Sequence, residues 1–260
     1  GEETMEGAKD MLEAGVLEDP HVDAAMEIHV SSVTKSGRLF VFRGAVCDSS
    51  DLFTIRVQGK GGHGSRPELT IDPINAACHI HLALQELQAR EVMAGEVGVL
   101  TIGSIHGGKT NNVIPESVEM KGTIRTYNKE VRAYLVKRLA EISEATAAAF
   151  RATAVVEMSN SYTIPLVADE KVAASAASSL WEILPKEQVV PINRRFPGSE
   201  DFAFITDKVP SVFVALGAAV CEKPEYGQHH PKVRFDESCL PIGAAAYAQV
   251  ATKWLAENRV

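Results

Sequence analysis

Between Asp51 and Tyr162 the hydrophobic pattern switches repeatedly between the two-residue period of a strand and the longer period of a helix. The order of those switches restricts the fold more than any single motif in the chain does. Residues 51–58 (DLFTIRVQ) alternate as a strand, and residues 73–91 repeat as a helix with Pro73 near its start, where a missing N–H costs nothing. Residues 97–105 and 117–127 read as strands, 129–151 as a long amphipathic helix and 153–162 as another strand. The order βαββαβ predicts a ferredoxin-like sandwich, four antiparallel strands with two helices on one face. This domain is expected to span residues 51–163.

The flanking residues 1–50 and 164–260 have a different character. Helical patterns at 169–184 and 239–258 alternate with short apolar strands such as 212–216 (VFVAL), which suggests one α/β domain interrupted by the ferredoxin-like insert. At 260 residues, 45% hydrophobic and 23% charged, the chain has the composition of an ordinary globular protein. Its net charge of -8, with basic residues scattered, excludes the electrostatic footprint of a nucleic-acid binder. With no apolar run long enough to cross a membrane and no leader pattern, a cytoplasmic location is expected. Cys47, Cys78, Cys221 and Cys239 have no paired spacing and are expected to be buried thiols.

Two glycine-rich patterns invite a phosphate-binding reading. Residues 103–110 (GSIHGGKT) fit the P-loop expression, but Asn111-Asn112-Val113-Ile114-Pro115 and a strand pattern follow, where phosphate binding needs a helix N-terminus. Residues 59–64 (GKGGHG) match a dinucleotide fingerprint, yet Arg66 and Pro67 separate them from the next helix. No G-x-S-x-G elbow offers a nucleophilic serine.

Three features could converge on a metal. Glu2 and Glu3 stand just before a helix pattern, and adjacent carboxylates point in different directions, so one could ligate while the other serves as a base. Two solvated acids at a helix start would look the same. His29, expected at the end of a buried strand, could be a ligand or a hydrogen-bonded core histidine. His229-His230-Pro231, followed by Phe235-Asp236-Glu237, could ligate or simply face water. His79 and His81, two apart on a helix, cannot share a face and read as structural.

In order along the chain, GEETMEGAKDMLEAG, HV, GKGGHGSRPE, NNVIPESVEMKGTIRTY, GSEDFAF, HHP and FDE resemble the dinuclear metallo-amidohydrolases. That family includes aminoacylases, hippurate hydrolase, indoleacetyl-amino-acid hydrolases, N-acetyldiaminopimelate deacetylase and carboxypeptidase G. The resemblance implies an α/β fold: a metallopeptidase-like catalytic domain, here truncated at its N-terminus, with the ferredoxin-like insert as lid and dimerisation domain. It implies Glu2 as general base, and Glu3, His29 and His229 as ligands of two divalent ions, zinc or manganese, cobalt or nickel. It implies His63 as the residue that stabilises the transition state, commonly in a partner subunit's site. Asn112 and Arg125 would orient the substrate, and Glu200 and Asp201 would support the metal ligands.

The implied activity is hydrolysis of the amide bond of an N-acyl amino acid or small peptide-like substrate, by a homodimer formed through the insert. Family members carry before this region a segment with further metal ligands, including a bridging Asp, so the 260 residues alone are expected to be impaired. A non-catalytic dimerisation module is the alternative, and a P-loop NTPase the remote one.

Overall fold

The computed structural model describes residues 1–258. A 3-10 turn, Glu2–Thr4, and a short helix α1 (Gly7–Glu13) lead into strands β1 (Ala25–Lys35), β2 (Leu39–Phe42) and β3 (Gly44–Cys47). Next come β4 (Ser50–Gln58), β5 (Gly62–His63), α2 (Pro73–Glu86), β6 (Gly98–Gly107), β7 (Val113–Ile114), β8 (Ser117–Thr126), α3 (Lys129–Ala149) and β9 (Thr153–Thr163). The chain ends with β10 (Leu166–Ala168), α4 (Glu170–Leu180), β11 (Val189–Ile192), α5 (Ala203–Thr206), β12 (Ser211–Ala219) and α6 (Leu240–Glu257). The elements form two compact units. The first holds Gly1–Glu6, Asp48–Pro165 and Gly198–Glu200, and the second holds Gly7–Cys47, Leu166–Pro197 and the residues from Asp201 onward.

The first unit has the expected ferredoxin-like sheet, in the order β6-β8-β4-β9 with every pair antiparallel. Phe53, Ile55 and Val57 of β4 alternate inward and meet Ile80 and Leu84 of α2, Met120 and Ile124 of β8, and Leu135 and Leu139 of α3. Each such side chain contributes about 1.5–3 kcal/mol through burial. Both helices start where a side chain satisfies their free amides: Asp72 accepts from Ile74 and Asn75, and Asn128 from Glu130 and Val131. β6 runs two residues further than its pattern suggested, because a bulge between Ile102 and Ser104 shifts the register and lets pairing with β8 continue.

The polar anchor of this unit is Asp51, 2% exposed. Arg132 of α3 meets it with two hydrogen bonds, Nη2 to Oδ1 at 2.6 Å and Nε to Oδ2 at 2.8 Å, and lies over the Tyr162 ring at 4.8 Å. The fork geometry satisfies both carboxylate oxygens as burial requires.

The second unit is built on a mixed sheet, β1-β12-β2-β11, with β1 parallel to β12, β12 antiparallel to β2, and β2 parallel to β11. Small residues let α4 lie close on this sheet: Ala173, Ala176, Ala177 and Leu180 pack with Val212, Val214, Leu39 and Val41, joined by Ala246 and Val250 of α6. α4 stops at Leu180, short of the expected 184. Trp181 Nε1 then donates to the Val189 carbonyl at 3.1 Å, which fastens the exit of the helix to β11. β1 is one of the two outer strands of this sheet, and His29 sits mid-strand and half-buried, not at the end of a buried strand. Tyr247 Oη accepts from the Ile28 N–H at 2.9 Å.

Only two of the four cysteines are buried as expected, Cys47 and Cys239, whereas Cys78 and Cys221 are exposed, and all four are free thiols. No helix among the described residues is long and apolar enough to cross a membrane. Asp51→Ala, which strands the Arg132 guanidinium, is expected to lower unfolding free energy by about 3–5 kcal/mol in urea denaturation, whereas Lys137→Ala on the exposed side of α3 should cost about 0.5 kcal/mol or less.

Candidate functional site

Glu2 and Glu3 lie in the 3-10 turn of the first unit, Glu2 half-buried and Glu3 exposed. Thr4 Oγ1 donates to the Gly1 carbonyl at 2.8 Å, Met5 closes the turn at φ 60°, and Ser161 Oγ of β9 donates to the Thr4 carbonyl at 2.9 Å. In the second unit Asp201, 7% exposed, accepts from the Ala8 N–H at 2.8 Å with its Oδ2. That bond places a carboxylate at the N-terminal end of α1, where the free amides favour negative charge. The GSEDFAF stretch therefore has a structural task of its own.

His29 Nδ1 is 2.7 Å from the Val30 carbonyl, and its ring lies 6.3 Å from Phe213. A carbonyl only accepts, so Nδ1 carries the proton and, in the neutral ring, Nε2 keeps a lone pair suited to a metal ion. His229 has a left-handed backbone, φ 66°, in an exposed loop. Its neighbour His230 is engaged locally, stacked on Tyr226 at 4.3 Å with Nδ1 accepting from Lys232 N–H at 3.1 Å. Gln228 Oε1 accepts from Ser32 N–H at 3.2 Å, which fastens this loop to β1 three residues beyond His29. Asp236 of the FDE stretch caps the turn into α6, accepting from Ser238 N–H at 3.0 Å; the Ser238 hydroxyl first, then Ser36 and that N–H, hold its carboxyl below the usual range.

His63 lies in the two-stranded β5–β7 ribbon of the first unit, and Asn112 stands just before β7. His63 pairs with Val113, and Gly64 N–H donates to the Asn112 carbonyl at 2.9 Å. Ser65 N–H donates to His63 Nδ1 at 3.2 Å, and Ser65 Oγ lies 2.9 Å from the same atom. The glycines of 59–64 make this approach possible: a Cβ on Gly59 would stand 2.2 Å from the Ile71 carbonyl oxygen, and one on Gly61 2.7 Å from that of Ile114. They serve close backbone packing rather than a phosphate. The P-loop reading of 103–110 is overturned as well, since β6 passes through a turn into β7 and no helix begins after Lys109.

Arg125 Nη1 reaches Asp48 Oδ1 at 3.4 Å, and Asp48 N–H donates to the Gly198 carbonyl at 3.1 Å. Burial raises the Asp48 carboxyl above its ordinary range, with Arg125 pulling the other way. Sequence reasoning missed Asp48, Gln228 and Ser65; of these only Ser65, inside the GKGGHGSRPE stretch, left a signal near a recognised residue.

The predicted ligands are thus divided, Glu3 in the first unit, His29 and His229 in the second. The donor types, carboxylate and imidazole, suit a divalent ion, yet the described residues gather no group of three or more His, Cys, Asp or Glu side chains able to hold one.

Residues 50–151 match the peptidase dimerisation domain of the M20 family. The resemblance read from the motif order is borne out: the chain is similar to M20 hydrolases, and its residues 50–151 to their dimerisation domain. It is 35% identical over 95% of its length to thermostable carboxypeptidase 2 of Saccharolobus solfataricus, covering 62% of that protein. It is 34% identical over 96% of its length to N-acetylcysteine deacetylase of Bacillus subtilis, covering 63% of it. Among solved structures, a Bacillus subtilis protein described as a dinuclear metal binding peptidase of the M20 family superposes with a TM-score of 0.76 at 29% identity, over 96% of this chain and 62% of that one. The chain therefore spans a little over three fifths of the length of these relatives.

Because the folded Asp48 carboxyl lies above its unfolded value of 3.8, its contribution to stability is present below that pH and lost as pH rises. Thermal denaturation of Asp48→Asn from pH 3 to 7 should accordingly show the variant gaining stability relative to the wild type as pH rises; a variant that loses ground to the wild type as pH rises would contradict the burial argument.

Proposed function

We propose that this protein is a metal-dependent amidohydrolase that cleaves the amide bond of an N-acyl amino acid or small peptide-like substrate. The observation that carries the reading is the chemistry set for two histidines, one in each unit. His29 leaves an Nε2 lone pair for a metal, while His63 pairs with Val113, next to Asn112 in the chain, on a glycine-packed ribbon. The relatives, named as a carboxypeptidase and a deacetylase, support the substrate class.

In this reading Glu3, His29 and His229 contribute ligands to a two-ion centre of zinc or of manganese, cobalt or nickel. Bound there, the ions would lower the pKa of a water molecule and polarise the scissile carbonyl. Glu2 accepts the proton of the attacking water and returns it to the leaving amine. His63 donates to the developing oxyanion, and Asn112 and Arg125 hold the substrate, Arg125 by its fork on a carboxylate.

Residues 1–50 and 164–260 act as the catalytic domain and 51–163 as lid and dimerisation domain, so that a homodimer brings His63 to the partner's site. The four free thiols suit the reducing cytoplasm. One competing reading, a non-catalytic dimerisation module, is favoured by the match of residues 50–151 to a dimerisation domain.

A panel of N-acyl amino acids offered to the metal-loaded full-length protein separates the two. Glu2→Gln is expected to lower kcat by about 10²- to 10⁴-fold with metal content unchanged, and chelation to abolish turnover. Activity that survives both treatments would sink the amidohydrolase reading.

A further inference from the structure

The turn that carries His63 is closed on itself. Arg66 N–H donates to the His63 carbonyl at 2.8 Å, and Gly64 N–H donates outward to Asn112, so the backbone around the ring is held at both ends. Inside the turn two groups of Ser65 converge on one ring atom, the backbone N–H at 3.2 Å and Oγ at 2.9 Å from Nδ1. A backbone amide can only donate. Nδ1 must therefore keep its lone pair, and in the neutral ring the proton resides on Nε2. Rotating the ring by half a turn would set a carbon against both groups and forfeit both bonds.

We propose that Ser65 is a positioning residue for the reaction: through its N–H and hydroxyl it holds His63 as the Nε2–H tautomer, so that the neutral ring offers a donor to the oxygen that gains charge when the substrate carbonyl is attacked. This rests on the role given to His63 above. The opposite arrangement at His29, where a carbonyl fixes the proton on Nδ1, leaves that ring an electron-pair donor, whereas Ser65 makes His63 a proton donor. The hydroxyl supplies the shorter of the two contacts, and it is the part that a substitution can remove without touching the backbone.

Nitrogen-15 NMR of the imidazole groups in the full-length protein reads the tautomer directly, with the His63 signals identified by their loss in His63→Gln. The expected result is an Nε2–H ring in the wild type and a shift toward a tautomer mixture in Ser65→Ala. That variant should lose about three- to tenfold in kcat with little change in KM, the effect of one neutral hydrogen bond. Ser65→Thr should restore both readings. A wild-type ring protonated at Nδ1, in a protein whose activity is lost in His63→Gln, overturns the role of Ser65 alone, as does wild-type kcat in Ser65→Ala. Wild-type kcat in His63→Gln removes the role of His63 and this proposal with it.

Discussion

Backbone can approach backbone closely only where side chains stand aside, and that constraint recurs at the junctions on which this structure depends. In the second unit a Cβ on Gly217 of β12 would lie 2.0 Å from the Lys35 carbonyl oxygen, where the parallel β1–β12 pairing, which also seats His29, shifts register. In the first unit Gly122 of β8 plays the same part against Thr101 of β6, at 2.3 Å, and Gly59 against Ile71 at 2.2 Å. At such distances any side chain forces the strands apart, which would undo the register that sets each functional group. The glycines are thus a condition for the site, although none of them touches a substrate.

On these frames the two recognised histidines are given contrasting chemistry by their nearest backbone. The Val30 carbonyl next to His29 and the Ser65 amide next to His63 act on the same ring atom, Nδ1, with opposite sense. One ring is left able to bind a cation and the other able to donate a proton. The two functions fall to separate rings, because a ring nitrogen that carries a proton has no lone pair for a metal.

The ferredoxin-like insert was legible because strand and helix periods differ so strongly. Residues 51–58 and 117–127 were placed within about a residue of β4 and β8, and the bulge at Ile102–Ser104, which extends β6, has no signature in the hydrophobic pattern. The burial of β1 was misjudged because an apolar run such as Ala24 to Val30 looks the same at the edge of a sheet as at its centre. The packing role of the glycine-rich 59–64 stretch depends on Ile71 and Ile114, whose proximity no local pattern encodes. Asp201 read as support for a metal ligand, and the bond that shows its structural task runs to Ala8, far away in sequence. Roles for His63, Asn112 and Arg125 came from the order of motifs alone, since each is by itself an ordinary turn or strand residue.

The central claim is that Glu3, His29 and His229 ligate the metal centre of an amidohydrolase. Anomalous diffraction from crystals of the full-length protein grown with zinc, collected across the zinc absorption edge, tests it most directly. The account predicts anomalous peaks about 2.0–2.2 Å from His29 Nε2, from a His229 ring nitrogen and from a Glu3 carboxylate oxygen. Peaks bound elsewhere, with those three side chains unliganded in crystals of active protein, would contradict it.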